Sequence, residues 1–165
     1  MIINYANTQM YRKVVSAPTR FIAENAYLEG FTVLNFGSGR AFADTDVLHT
    51  VSAGCQAYDP FSPRPWEQIP PNVADVVVAT YVLNVLPPVV REHVLQEILA
   101  KTKHYALITV RTDKIRGDEW ADGVLTSKNT FQKYYTEQSF KEEFAAYNPY
   151  YWHRGPGFLT FIIWK

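Results

Sequence analysis

Five short apolar runs, separated by amphipathic or polar stretches, set the pattern of this chain: residues 31–36, 54–58, 75–80, 105–110 and 158–164. The runs DVVVAT (75–80) and YALITV (105–110) are continuously apolar and β-branched, as expected of strands buried on both faces. Between the runs lie helical patterns. Residues 8–29 read as helical, interrupted at Pro18 and stopped by Gly30. Residues 42–52 and 136–146 read as shorter helices. Residues 88–102 carry Val90, Val94 and Ile98 at a spacing of four, joined by Leu95 and Leu99, which predicts an amphipathic helix. The stretches 61–71, rich in proline, and 111–130, polar and irregular, read as loops. Alternating strands and helices predict an α/β fold of three layers, α/β/α, around a mostly parallel sheet with right-handed crossovers. The last strand is expected to join antiparallel. Only residues 61–74 separate the second strand from the third, too few for a crossover with its own helix. The sheet is therefore expected to be trimmed on that side. At 165 residues the chain reads as one domain, residues 1–30 forming a helical cap and 31–165 the sheet core.

The turn after the first strand changes this from a fold to a candidate site. VLNFGSGR (33–40) is a buried strand running into Gly37 and Gly39, and AYDP (57–60) ends the second strand on Asp59, 20 positions after Gly39. In an open α/β sheet, glycines of this kind let the backbone approach a ligand, and the acid accepts hydrogen bonds from ribose hydroxyls. That predicts a nucleoside-type cofactor. A dinucleotide fingerprint needs a third glycine where Phe42 stands, so NAD is disfavoured, and no G-x-x-x-x-G-K-[ST] loop is present. A G-x-G turn without the third glycine fits S-adenosyl-L-methionine (SAM). In these two segments the chain resembles the class I SAM-dependent methyltransferases, VLNFGSGR matching their first motif and AYDP their acidic second motif.

A closer resemblance extends over about residues 31–165. ADVVVATYVLNVLP (74–87) resembles the fourth methyltransferase motif and its exit loop. Together with YDPF (58–61), Val110-Arg111 and TFQKYYT (130–136), it is similar to a methyltransferase family associated with DNA phosphorothioation gene clusters, which shares the short link between acid and central strand. A compact phage-borne relative is one reading of this size. The resemblance implies a Rossmann-like fold, SAM as cofactor and methyl transfer as reaction, with no acceptor specified. Residue by residue, it implies cofactor contacts from Asn35, Phe36, Gly37, Ser38, Gly39, Asp59, Pro60, Phe61, Thr80 and Tyr81. Asn35 stands where many relatives have an acid; a neutral amide lacks the charge to pair with the SAM ammonium. With the usual third strand missing, Phe61 or Trp66 is left to stack on adenine, unless Trp66 only plugs the sheet edge. Thr80, Tyr81 and Asn84 leave the central strand where the transferred methyl would point and are the catalytic candidates, with Arg111 beside them. Asn84 reads equally well as a helix N-cap or a turn residue.

Methyl transfer from a sulfonium is an in-line displacement with a good leaving group, so positioning and desolvation carry most of the rate. No histidine, cysteine and acid spacing suggests a metal. His49, His93 and His104 read as surface residues, whereas His153, in the aromatic-basic run YYWHR (150–154), is a candidate acceptor contact. NPYY (148–151) reads as a turn, not as the N/D-P-P-Y/F loop of amino-methylating DNA enzymes. Residues 131–135 either stack a nucleotide or pack as a loop on the sheet. Arg12, Lys13 and Arg20 either cover the cleft or lie on solvated faces.

Composition narrows the partners. Lys and Arg number 16, equal to Asp and Glu, so nothing in the net charge demands a polyanion and nucleic acid would need a local basic patch. The single cysteine, Cys55, excludes an internal disulfide, reads as a buried inert thiol, and fits a reducing compartment. With no signal-peptide or membrane-span pattern, the expected location is cytoplasmic. Three functional classes follow: a methyltransferase acting on a small molecule or nucleotide component, a SAM- or nucleoside-binding module without turnover, and a nucleic-acid interaction protein. The short sheet also makes a homodimer conceivable.

Overall fold

The computed structural model describes residues 3–9 and 11–165. The main sheet has six strands: β1 (Thr32–Phe36), β2 (Gly54–Tyr58), β3 (Ala74–Thr80), β4 (Thr102–Arg111), β8 (Tyr150–Gly155) and β9 (Phe158–Trp164). Their order is β2-β1-β3-β4-β9-β8. β2, β1, β3 and β4 run parallel, and β9 adds antiparallel to β4 from Tyr105↔Trp164 to Arg111↔Phe158. The fold is the expected three-layer arrangement, with β2 left as an edge because no further strand follows it. The return from β2 to β3 holds only a 3-10 turn at Pro65–Glu67.

The alternating side chains of the central strands divide the core in two. Val33, Val76, Val78 and Leu107 face α1 (Ala17–Asn25) and α2 (Ala43–Thr50), meeting Ile22 and Leu48. Leu34, Val77, Ala79, Ala106 and Ile108 face the other way, onto Leu95 and Ile98 of α3 (Pro88–Ala100) and Phe140 of α4 (Glu137–Glu143). Both faces of β3 and β4 are thus covered, which is why their sequences are continuously apolar.

Several elements differ from expectation. The helix read over 8–29 is α1 alone, preceded by a 3-10 turn at Tyr5–Thr8; Met10 lies outside the described residues. Pro18 sits in the first turn of α1, where its missing N–H costs nothing, and Ser16 caps the helix by accepting from Thr19 N. On α3 the buried seam is Arg91, Leu95, Ile98 and Leu99, with Val89 turned to solvent. The irregular stretch forms a small antiparallel sheet: β5 (Asp118–Trp120), β6 (Gly123–Leu125) and β7 (Phe131–Gln132). The aromatic-basic run 150–154, to which the sequence assigned no element, forms strand β8.

Arg91 explains how that small sheet is fastened. Its side chain is 1% exposed and donates to Asp122 Oδ2 at 2.8 Å, Glu143 Oε1 at 2.5 Å and the carbonyl of Leu86 at 2.8 Å. Lys133 pairs with the same two acids. Burial disfavours the charge on Arg91, but the two carboxylates outweigh it and hold it fully protonated. One buried guanidinium thus ties α3, the β5–β6 turn and α4 together. No helix among the described residues is long and apolar enough to cross a membrane.

Candidate functional site

The strand order reverses between β1 and β3, and a crevice at the carboxyl ends of such strands is the ordinary ligand position in an open α/β sheet. A cavity of about 300 Å³ opens there. Asn35, Phe36, Gly37, Ser38 and Gly39 line it from β1, Asp59, Pro60 and Phe61 from β2, and Thr80, Tyr81 and Asn84 from β3. Arg111, at the end of β4, completes the predicted set. Trp66 and His153 are not in the wall. Trp66 is 62% exposed, so it neither meets a ligand in this cavity nor plugs the sheet edge. His153 stacks on Phe21 with ring centroids 3.5 Å apart.

The glycine turn is built by backbone demands. Gly37 and Gly39 both have φ of +72°, a region L-residues rarely enter. A Cβ on Gly37 would sit 2.5 Å from Val82 Cγ2, so the turn also packs tightly against the exit of β3. Asp59 is 6% exposed and holds this turn directly. Its Oδ2 accepts from Gly39 N at 2.9 Å and its Oδ1 from Phe61 N at 2.8 Å. The acid read as a ribose acceptor is therefore also the brace between the two loops, and each oxygen retains a lone pair. Asn35 does not approach as a charged group would; its amide donates to Thr45 Oγ1 at 3.0 Å and anchors α2.

The proline-rich return does work that sequence reading missed. Arg64 donates to the carbonyl of Arg40 at 2.8 Å, pairs with Glu67 at 2.7 Å and lies 4.0 Å over the Phe42 ring. Glu67, buried, also accepts from Ser62 at 2.6 Å. The bulky residue at the third-glycine position is thus covered by a cation from the loop that replaces a strand. A second missed contribution is N-terminal. Tyr5 stacks on Phe61 at 5.6 Å, Arg40 donates to Gln9 Oε1 at 3.2 Å, and Asn4 N donates to the carbonyl of Asn129. Tyr5, Gln9 and Arg12 line the cavity, so residues 4–9 cross it as a strap. The mixed polar pattern of 4–9 hides this role, because nothing in it names the surface it lies on.

Other expectations divide. Asn84 is a turn residue rather than a helix cap: it is buried in a 3-10 turn at Leu83–Val85, and α3 begins at Pro88, after Pro87, with no side-chain cap. Phe131 and Tyr135 are fully buried, so 131–135 packs inside the fold, but Phe131–Gln132 do so as strand β7 and not as a loop; of these five residues only Gln132 reaches the cavity. Lys13 and Arg20 are exposed outside the wall, whereas Arg12 lies 5.3 Å over the Tyr81 ring. Asn148 ends its turn in the left-handed region, as the turn reading of 148–151 requires. Cys55 is half-buried, and burial pushes its thiol up to about 12.

Two features of the wall are suited to a bound ligand. Ser38 Oγ, Thr80 Oγ1, Asn84 Oδ1 and Gln9 Nε2 are buried without hydrogen-bond partners, although buried polar groups are ordinarily satisfied. Tyr81 holds φ at +62°, an uncommon conformation for a bulky residue and one that clusters at functional positions. Burial raises its pKa, against the opposing pull of Arg12 and Arg111, so the phenol stays protonated at neutral pH.

No protein-family model matches the chain, and no curated protein matches it by sequence. Solved structures do match in fold. The Burkholderia thailandensis 1,6-didemethyltoxoflavin-N1-methyltransferase, bound to 1,6-didemethyltoxoflavin and S-adenosylhomocysteine, superposes with a TM-score of 0.68 at 18% identity, over 90% of this chain and 77% of that one. DhpI, in complex with SAM and HEP, gives 0.60 at 16%, over 88% and 84%. Human N-acetylserotonin methyltransferase, in complex with SAM, gives 0.59 at 15%, over 90% of this chain and 52% of that one. The chain has the Rossmann-like fold of these enzymes.

Proposed function

We propose that this chain binds SAM in the cavity at the carboxyl ends of β1, β2 and β3 and catalyses methyl transfer to an acceptor. The observation that carries this is the bond between Asp59 and Gly39 N. It places an acid and a positive-φ glycine turn side by side at the reversal of the strand order, where a ribose and its neighbouring groups would be read. The unpartnered Ser38 and Thr80 hydroxyls and Asn84 carbonyl fit a polar ligand there. When bound, SAM would supply an electrophilic methyl group. Asp59 would accept from ribose hydroxyls, and the Gly37–Gly39 turn would admit the rest of the cofactor close to the backbone. Phe61, backed by Tyr5, would face the adenine. Thr80, Tyr81 and Asn84 would hold the acceptor, and the strap would exclude water. Positioning and water exclusion are what this chemistry needs from protein groups. Residues 1–165 act as one SAM-binding unit in this reading. The solved methyltransferases of like fold, two of them complexed with SAM, support it.

Calorimetric titration with SAM, S-adenosylhomocysteine and NAD tests the proposal. Saturable binding of the first two without NAD is expected; a folded sample that binds neither refutes it. A second reading, binding without turnover, is favoured by Asn35, whose neutral amide is committed to Thr45. It predicts the same titration but no methyl transfer to any acceptor.

A further inference from the structure

We infer that the acceptor at this site is a small molecule carrying an oxyanion, a carboxylate or phosphate-type group, received by Arg111 together with Arg12. The inference rests on the methyltransferase reading and deepens it by giving the acceptor a chemical class.

Charges of both signs lie around the cavity. Asp59 and Glu97 are close enough to Tyr58 to disfavour its ionisation. Arg12 and Arg111 are close enough to Tyr81 to favour its ionisation, and Asp113 and Asp44 act on it in the opposite sense. Arg111 differs from the other arginines that are held inside the fold. Arg64 is neutralised by Glu67, and Arg91 by Asp122 and Glu143. The Arg111 guanidinium has no hydrogen bond or ion pair with any described residue. Its backbone, in contrast, is fixed on both sides. It pairs with Phe158 across the β4–β9 ladder, and its carbonyl accepts from Tyr135 N at 2.8 Å. A half-buried guanidinium on a rigid strand end, without a carboxylate of its own, is arranged for a ligand that brings one. The planar fork matches carboxylate and phosphate oxygens in pairs.

The nearby acids do not remove this charge. Asp44 also lines the cavity, but its oxygens already receive Ser16 N, Ser16 Oγ and Thr19 Oγ1 at 2.7–2.8 Å. Asp113 is exposed and lies against the turn at Gly157. The unpartnered Gln9 amide and Thr80 hydroxyl can donate to an oxyanion, while the unpartnered Asn84 carbonyl can accept from another group of the same ligand. An acceptor anchored by its charge would be fixed in orientation, which is the main service a protein offers to this reaction.

A small molecule suits the surroundings better than a nucleic-acid backbone. A phosphate chain needs a track of cations. Here Lys133 is already paired with Asp122 and Glu143, while Lys13, Arg20, Lys114, Arg116 and Lys128 lie outside the wall. Tyr5 also lies in the cavity wall, stacked on Phe61, and takes up part of the opening.

The test is an NMR titration of the full chain, with and without saturating S-adenosylhomocysteine, following the arginine side-chain Nε–H signals. The probes are benzoate, phenyl phosphate and benzamide, which share a ring and differ in charge. Saturable shifts of the Arg111 signal with benzoate or phenyl phosphate, and none with benzamide, are expected. Arg111→Gln should weaken the anion at least about tenfold in the presence of saturating S-adenosylhomocysteine, and Arg12→Gln should weaken it less. Equal response to benzamide, or anion binding that survives Arg111→Gln, overturns the inference. Tighter binding of a DNA oligonucleotide than of either small anion, lost in the same variant, would transfer the site to nucleic acid and overturn the small-molecule assignment. Failure of S-adenosylhomocysteine to bind removes the methyltransferase reading alone; the titration without it still decides whether Arg111 is an anion site.

Discussion

Asp59→Ala is expected to weaken SAM binding by about a hundredfold. Two charge-assisted hydrogen bonds to ribose would be lost, each of roughly 1.5–3 kcal/mol, and the low end of the pair, about 3 kcal/mol, is on the order of a hundredfold in affinity. The same substitution strips the partner from Gly39 N and Phe61 N. Two orphaned amides cost on the order of 1–3 kcal/mol each, so the variant should also melt earlier. Asp59→Asn separates the two effects, because its carbonyl oxygen can still accept one amide while the charge is gone. Calorimetry on both variants, well below their melting points, reads the cofactor contribution; the melting curves read the brace. Affinity unchanged in a folded Asp59→Ala protein would remove Asp59 from the site.

Arg91→Met is expected to cost about 3–5 kcal/mol of folding stability, the usual result of removing one partner from a buried ion network. For a domain of this size that corresponds to roughly 6–20 °C in melting temperature. Asp122 and Glu143 would be left sharing only Lys133, and the carbonyl of Leu86 would lose its donor. The network also sets an acid limit. Burial disfavours ionisation of Asp122, but Arg91 and Lys133 outweigh it and hold its carboxyl at about 2, against 3.8 ordinarily. A carboxyl depressed in the folded state contributes stability above its unfolded value and loses it as pH falls through the folded one. The wild-type protein should therefore shed this contribution between about pH 4 and 2, and Arg91→Met should shed less over the same range. Urea denaturation across that window is the measurement. A loss under 1 kcal/mol at neutral pH would show that apolar packing fastens the small sheet instead.

The sheet and its cofactor-side residues were legible because their signals are local. A continuous β-branched run such as 75–80 fits only a doubly covered strand, and a glycine turn followed by a correctly spaced acid restricts what the crevice can hold. Even the missing strand could be read, from the shortness of 61–74. What could not be read is partnership across distance. Arg91 occupies a helix position that periodicity assigns to an apolar residue, and only its three-dimensional encounter with Asp122 and Glu143 makes burial affordable. Arg64 and Glu67 looked like loop charges, yet they hold the glycine turn. β8 was missed because its pattern mixes exposed and half-buried positions, as an edge strand does. Tyr5 and Arg12 belong to the site only because the strap crosses it, a matter of chain path that no spacing encodes.

The helix-free return from β2 to β3 also grades the molecule in its resistance to local opening. β3, β4 and β9 are buried between two layers, whereas β2 is an edge of half-buried residues whose link is fastened mainly by polar contacts around Arg64, Glu67 and Asp59. Opening free energies rise with buried apolar contact, so amide exchange should be faster at β2 and its return than in β3 and β4. The acid that braces the glycine turn therefore rides on a part of the sheet that opens more readily than its centre. A ligand bridging Asp59 to β1 and β3 would close that edge, and its binding would be read as slowed exchange at β2, in a strand most of whose residues the ligand never touches.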